Sequence, residues 1–111
     1  MNDIITFEDF TKIDLRVGTI IDVNEFPEAR YPAYQLTIDF GVLGSRKSSA
    51  QITTLYKKEE LLNKQIVAII NFPKKQIAKF MSECLVLGAV KGKDVMLLNP
   101  ETKVANGSIV S

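Results

Sequence analysis

Tyr34-Gln35-Leu36-Thr37-Ile38-Asp39-Phe40 alternates without a break between a large apolar side chain and a polar one. A pleated strand turns successive side chains to opposite faces, so Tyr34, Leu36, Ile38 and Phe40 are expected on a core and Gln35, Thr37 and Asp39 on the surface. Gly41-Val42-Leu43-Gly44 then turns the chain, and Lys47 to Thr53 has the weaker strand character of a partner. Upstream, the span from Ile13 to Val23 places Leu15, Val17, Thr19, Ile21 and Val23 on one side and Asp14, Arg16 and Asp22 on the other. This is the same period, and Gly18 within it suggests a bulge or sharp bend. Between the two strands, Asn24 to Pro32 carries two prolines and mixed charges and reads as a loop.

Farther out, Thr6 precedes Asp9 by three residues, an N-cap signal for a turn or two of helix at Phe7-Glu8-Asp9-Phe10. Leu55, Lys58, Glu59 and Leu62 recur at helical spacing, and Gln65 to Phe72 is an apolar strand stopped by Pro73. Ser82 to Val90 and Val95 to Asn99 are further β-rich runs around a hairpin turn at Lys91-Gly92-Lys93-Asp94. Three strands, a short helix and two or three more strands is the order of an all-β, five-stranded Greek-key OB barrel with its helix between strands three and four. An SH3-like barrel is the competing architecture. The expected organisation is one domain over 1–111, with short terminal extensions at about 1–12 and about 90–111.

The composition, 46% hydrophobic and 24% charged, is that of an ordinary globular chain and not of a disordered one. Fourteen basic and thirteen acidic residues leave a formal charge of +1, so any polyanion must be met by a local patch and not by the whole field. There is no histidine, which removes imidazole bases and most zinc sites, and a single cysteine builds no thiolate cluster and no internal disulfide. No Gly-x-x-x-x-Gly-Lys loop is present to cradle phosphates. Ser48 with Lys47, or Glu59 with Glu60, are neighbours in sequence with nothing to place them in one site. The chain is therefore expected to be no enzyme, with no catalytic residue, metal or cofactor.

Cys84, inside Cys84-Leu85-Val86-Leu87, reads as a buried thiol suited to a reducing cytosol. No apolar run approaches the ~18 residues of a membrane span, and the first residues lack the regions of a signal peptide. A cytoplasmic protein without membrane insertion is expected.

Binding is left. An isolated lysine pair is by default a solvated surface, and the field of Lys57-Lys58 is cancelled by Glu59-Glu60. Lys74-Lys75 meets no acid before Glu83 and follows Phe72-Pro73, so cations border an aromatic ring on an expected loop. OB barrels bind mainly on the face of strands two and three and the flanking loops, which nominates Arg30, Gln35, Arg46, Lys47, Ser49 and Gln51 by position. Phe26, Tyr31 and Phe72 lie in or beside expected loops, where an aromatic ring would stack a base or grip an apolar side chain. The ends are unusually apolar: Ile4, Ile5, Phe7 and Phe10 on one side and Ile109 and Val110 on the other suggest a dimer interface.

Several ordered segments resemble the tRNA-binding domain appended to methionyl- and phenylalanyl-tRNA synthetases and found free in bacteria. They are Asp14-Leu15-Arg16-Val17-Gly18-Thr19-Ile20, Phe26-Pro27-Glu28-Ala29-Arg30, Leu36-Thr37-Ile38-Asp39-Phe40-Gly41, Lys47-Ser48-Ser49-Ala50-Gln51-Ile52-Thr53, Asn71-Phe72-Pro73 and Ser82-Glu83-Cys84-Leu85-Val86-Leu87-Gly88. The synthetase pattern has His where this chain has Phe26, Asp where it has Arg30, and a Ser-Gly-Leu step around Ser49-Ala50-Gln51. At these positions the chain is similar instead to the CsaA branch of export-related chaperones, stand-alone members of the family. The resemblance implies an OB fold extended at both termini and a homodimer. It also implies binding of unfolded or precursor polypeptides together with the SecA translocation motor. The alternative it implies is a dimer that binds tRNA by its structure.

Overall fold

The computed structural model describes residues 3–111. In chain order the elements are α1 (Phe7–Thr11), β1 (Leu15–Glu25), β2 (Tyr34–Asp39), β3 (Ser45–Ala50), α2 (Lys58–Leu61), β4 (Gln65–Ile69), β5 (Lys75–Ile77), β6 (Phe80–Ser82), β7 (Leu85–Val86), β8 (Gly88–Lys91), β9 (Asp94–Leu97) and β10 (Ile109–Val110). The main sheet runs β3-β2-β1-β4-β7, with β10 added beside β1, while β5-β6 and β8-β9 form two separate hairpins. All pairings are antiparallel. Five strands in this order, curled so that β3 approaches the segment before β7, make the expected OB barrel, and α2 sits between the third and fourth of them.

β2 follows the alternation of its sequence: Tyr34, Leu36, Ile38 and Phe40 are buried, and Gln35, Thr37 and Asp39 are only partly covered. β1 does not. Ile20 is wholly buried, whereas Ile21, expected inside, is 46% exposed. The pairing with β2 shifts register between Ile20 and Asp22, so Ile21 is the extra residue of a bulge and the inward parity changes there. Gly18, where the bulge was expected, has another task. A Cβ on it would lie 2.6 Å from Ile38 Cγ2 and 2.7 Å from Phe40 Cε1, so the glycine lets β2's core side chains cross β1.

Ile20, Leu36, Ile38, Phe40, Leu61 and Ile66 are fully enclosed, and α2, shorter than its apolar spacing suggested, contributes Leu61 as a plug. Tyr34 Oη donates to the Tyr56 carbonyl (2.9 Å), and the Leu97 N–H donates to Tyr56 Oη (3.0 Å), which ties β9 to the barrel end. Burial, with smaller contributions from Glu25, Glu59 and Glu60, raises the Tyr34 phenol above its ordinary pKa.

Both extensions converge on the start of β1. Thr6 and Asp9 form the expected capping box on α1. The Asn71 side chain donates to the Lys12 carbonyl (2.7 Å) and accepts from the Asp14 N–H (2.9 Å), fixing the helix to the end of β4. At the other terminus Val17 exchanges backbone bonds with Gly107 and Ser108, and β10 lies against Leu15 and Arg16. The expected single run from Ser82 to Val90 is instead three short strands with three different partners. The Lys91–Asp94 turn is as expected, with Gly92 at φ +61°.

Candidate binding surface on the third strand

β3 sets the site. Its inward residues Arg46, Ser48 and Ala50 stand opposite Ile38, Leu36 and Tyr34, leaving Lys47 and Ser49 to face outward beside Thr37 and Gln35. Gln51 continues the outward row and is exposed. Three polar contacts sew β3 to the chain around Glu83. The Glu83 N–H donates to the Lys47 carbonyl (2.7 Å), the Lys47 N–H to Glu83 Oε1 (3.0 Å), and the Ser49 N–H to Ser82 Oγ (3.1 Å). Beneath them Ser48 Oγ donates to the Cys84 carbonyl (3.0 Å).

Four hollows share Gln51 in their lining, and three of them also share Ser49. One of about 530 Å³ lies under Phe72, Lys74, Lys75 and Ile77. A second, of about 310 Å³, runs between Arg30 and Tyr31 on one wall and Lys75 and Ile77 on the other. A third, of about 590 Å³, separates Tyr31 and Pro32 from Val90, Lys93 and Val95. The fourth, of about 410 Å³, is an apolar trough between β3 and Leu85, Leu87 and Leu97. Together they form one concave surface, apolar in its walls and cationic at points on its rim.

Sequence reading placed Arg30, Ser49, Gln51, Phe72, Lys74 and Lys75 as candidates, and the fold brings all six to this surface. Phe72 is half exposed and Tyr31 is 57% exposed, with the Arg30 guanidinium 5.6 Å from the Tyr31 ring centre. Arg46 and Lys47 line none of the four hollows. Arg46 points inward at the barrel end, its Nη1 donating to the Ile70 carbonyl (3.4 Å), because its place in β3 shares the parity of Ser48.

Phe26 requires a correction. Expected on a loop surface, it is 4% exposed and packs on Phe80, ring centres 5.4 Å apart. It pins the β1–β2 loop to the β5-β6 hairpin and so holds two walls of the surface together. Lys74-Lys75 differs too. Lys75 begins β5 and does not lie on a loop, and Glu83, just past the β5–β6 hairpin, returns its carboxylate to 3.8 Å from Lys74 Nζ. Lys75, Arg30 and Lys93 stand outside the ion pairs of the described residues. Ile77, Val90 and Val95 escaped the sequence reading; the apolar tip of the Val90–Val95 hairpin, with Val90 72% exposed, was the available signal.

Cys84 is buried, and that burial pushes its thiol up to about 11, so it remains protonated and unreactive. Among the described residues no three metal-ligating side chains cluster, and no helix is long and apolar enough to cross a membrane.

The expected dimer contacts are the apolar residues of both ends. Ile4, Ile5, Phe7 and Ile109 are largely exposed, Phe10 and Val110 are half-buried, and the last two strand residues, Ile109 and Val110, lie beside Arg16 and Leu15.

Residues 15–109 match the family described as "Putative tRNA binding domain". Among solved structures, the chaperone CsaA from Bacillus anthracis is 52% identical with a TM-score of 0.94, the alignment covering 98% of this chain and 100% of that one. The CsaA chaperone protein from Picrophilus torridus is 53% identical with a TM-score of 0.90, covering 97% and 100%. A methionine–tRNA ligase of Pyrococcus horikoshii is 39% identical over 106 residues, which is 96% of this chain but 14% of the ligase. The chain thus spans only a small part of the curated relatives it matches.

Proposed function

This chain belongs to the tRNA-binding-domain family and to its CsaA branch, and from that premise we propose that it is a non-catalytic, cytosolic holder of unfolded or precursor polypeptides in support of protein export. The observation that carries the reading is the make-up of the surface around Ser49 and Gln51. Apolar side chains, Phe72, Ile77, Val90 and Val95 among them, supply most of its walls. A holder of nonpolar segments needs such area to compete with their collapse. A polyanion needs a continuous cationic track, yet Glu83 offsets Lys74 and the formal charge is +1.

The holder acts as a homodimer joined through Ile4, Ile5, Phe7, Phe10, Ile109 and Val110. Apolar side chains this exposed are expensive to leave in water, and a two-fold axis would cover them while presenting the β3 surface twice to one extended client. A SecA-type translocation motor is the partner that would receive such a client. The second reading, tRNA binding, is favoured by Arg30 beside the Tyr31 ring and by Lys75 on the same hollow, a stacking platform with phosphate-neutralising cations.

The test is direct competition between bulk tRNA and a reduced, carboxymethylated unfolded protein at near-physiological salt. Retention of the unfolded protein in excess tRNA is expected; its displacement would transfer the surface to RNA. Light scattering is expected to return twice the chain mass, and a monomer at micromolar concentration would remove the dimer.

A further inference from the structure

The seam of the barrel is only partly sewn. Since Lys47 turns both its N–H and its carbonyl toward Glu83, away from β2, the alternation of an antiparallel strand turns those of Ser49 the same way, and Gln51, just past the end of β3, is the next residue of that parity. The Ser49 N–H is taken by Ser82 Oγ. Among the described residues, nothing accepts from the Gln51 N–H or donates to its carbonyl, no residue outside the strands donates to the Ser49 carbonyl, and β2 is the one strand paired with β3. β3 is an edge strand of the main sheet, and β7, the strand across the seam, is the other edge. An exposed row of this kind is normally blunted, and here Ser82 and Glu83 do so for Lys47 and the Ser49 N–H but stop short of Gln51.

We infer that a client polypeptide binds as an added strand along β3, pairing with the Ser49 carbonyl and with Gln51. This rests on the polypeptide reading and states how that same site recognises its ligand. Backbone pairing supplies affinity without regard to sequence, which suits a holder of many clients, while alternate side chains fall on opposite sides of the added strand. One set meets the apolar trough of Leu85, Leu87 and Leu97 across the seam, and the other meets Phe72, Tyr31 and Lys75. With Lys75, Arg30 and Lys93 on the rim, the preferred segment is extended, aliphatic or aromatic at alternate positions, and acidic at its edges. In either strand direction, two client amides two residues apart donate to the Ser49 and Gln51 carbonyls, and the amide between them does not.

The experiment uses short peptides tiled over carboxymethylated lactalbumin and the full-length protein. The tightest peptide is resynthesised with each amide methylated in turn. Loss of about tenfold in affinity at two positions separated by one tolerant residue is expected, each methyl removing one hydrogen bond. In parallel, the bound peptide is expected to slow hydrogen exchange at the Gln51 amide about tenfold or more, as no ligand seated only on the outer hollows would. If the peptide binds but every methylation is tolerated and Gln51 exchanges unchanged, the added strand is wrong while the polypeptide reading stands. If no tiled peptide binds and tRNA does, both fall together.

Discussion

The β1–β2 flank of the barrel and the seam beyond β3 are built on opposite terms. On the flank, the two strands pair from Thr19–Asp39 to Glu25–Tyr34, and the side chains between them, Ile20, Leu36, Ile38 and Phe40, are wholly buried. At the seam, one described backbone bond and a few side-chain contacts join β3 to the Ser82–Cys84 segment, and the adjoining surface is a chain of hollows. Buried apolar contact is concentrated on the flank, whereas the seam carries the exposed apolar area that the proposed recognition would use. Damage to the first should lower folding stability, and damage to the second should lower binding at constant stability.

Phe26 lies between the two regions and offers the severest check. Its burial against Phe80 predicts that Phe26→Ala costs about 3 kcal/mol in urea unfolding, the scale of an emptied aromatic site. Full stability with weakened peptide binding would instead return Phe26 to the ligand surface. Next, Gly18→Ala should cost about 1–3 kcal/mol, because the added methyl meets Ile38 and Phe40 where neither has room to retreat. A neutral outcome would mean that the flank is looser than its burial indicates.

On the seam side, Phe72→Ala should leave unfolding within about 0.5 kcal/mol of the parent and weaken peptide binding by about 1 kcal/mol, near fivefold. Equal binding in titration calorimetry would take Phe72 out of the site. The smallest effect separates the two neighbouring lysines. If tRNA is bound, Lys75→Ala should flatten the logarithmic salt dependence by about 0.9, one phosphate's worth of counterions, and Lys74→Ala by less because Glu83 already offsets it. Peptide binding should change little with salt in either variant. Equal slopes for both lysine variants would show that the Glu83 contact does not persist in solution.

Much of this protein was legible in its residues alone. The alternation of Tyr34–Phe40, the Thr6–Asp9 capping box, the Lys91–Asp94 turn, the buried Cys84 and the barrel order follow from preferences that act over a few residues. Ser49 and Gln51 were nominated by their position in an OB barrel, and which residues of β3 face outward followed only from its pairing with β2. Tertiary structure decided the rest. The bulge that turns Ile21 outward, the pairing of Phe26 with Phe80, the return of Glu83 to Lys47, and the unpaired edge at Gln51 all depend on segments far apart in sequence. A strand's own residues specify which side chains share a face, but whether its edge is closed depends on where the curl of the whole sheet brings the last strands, and no local preference carries that information.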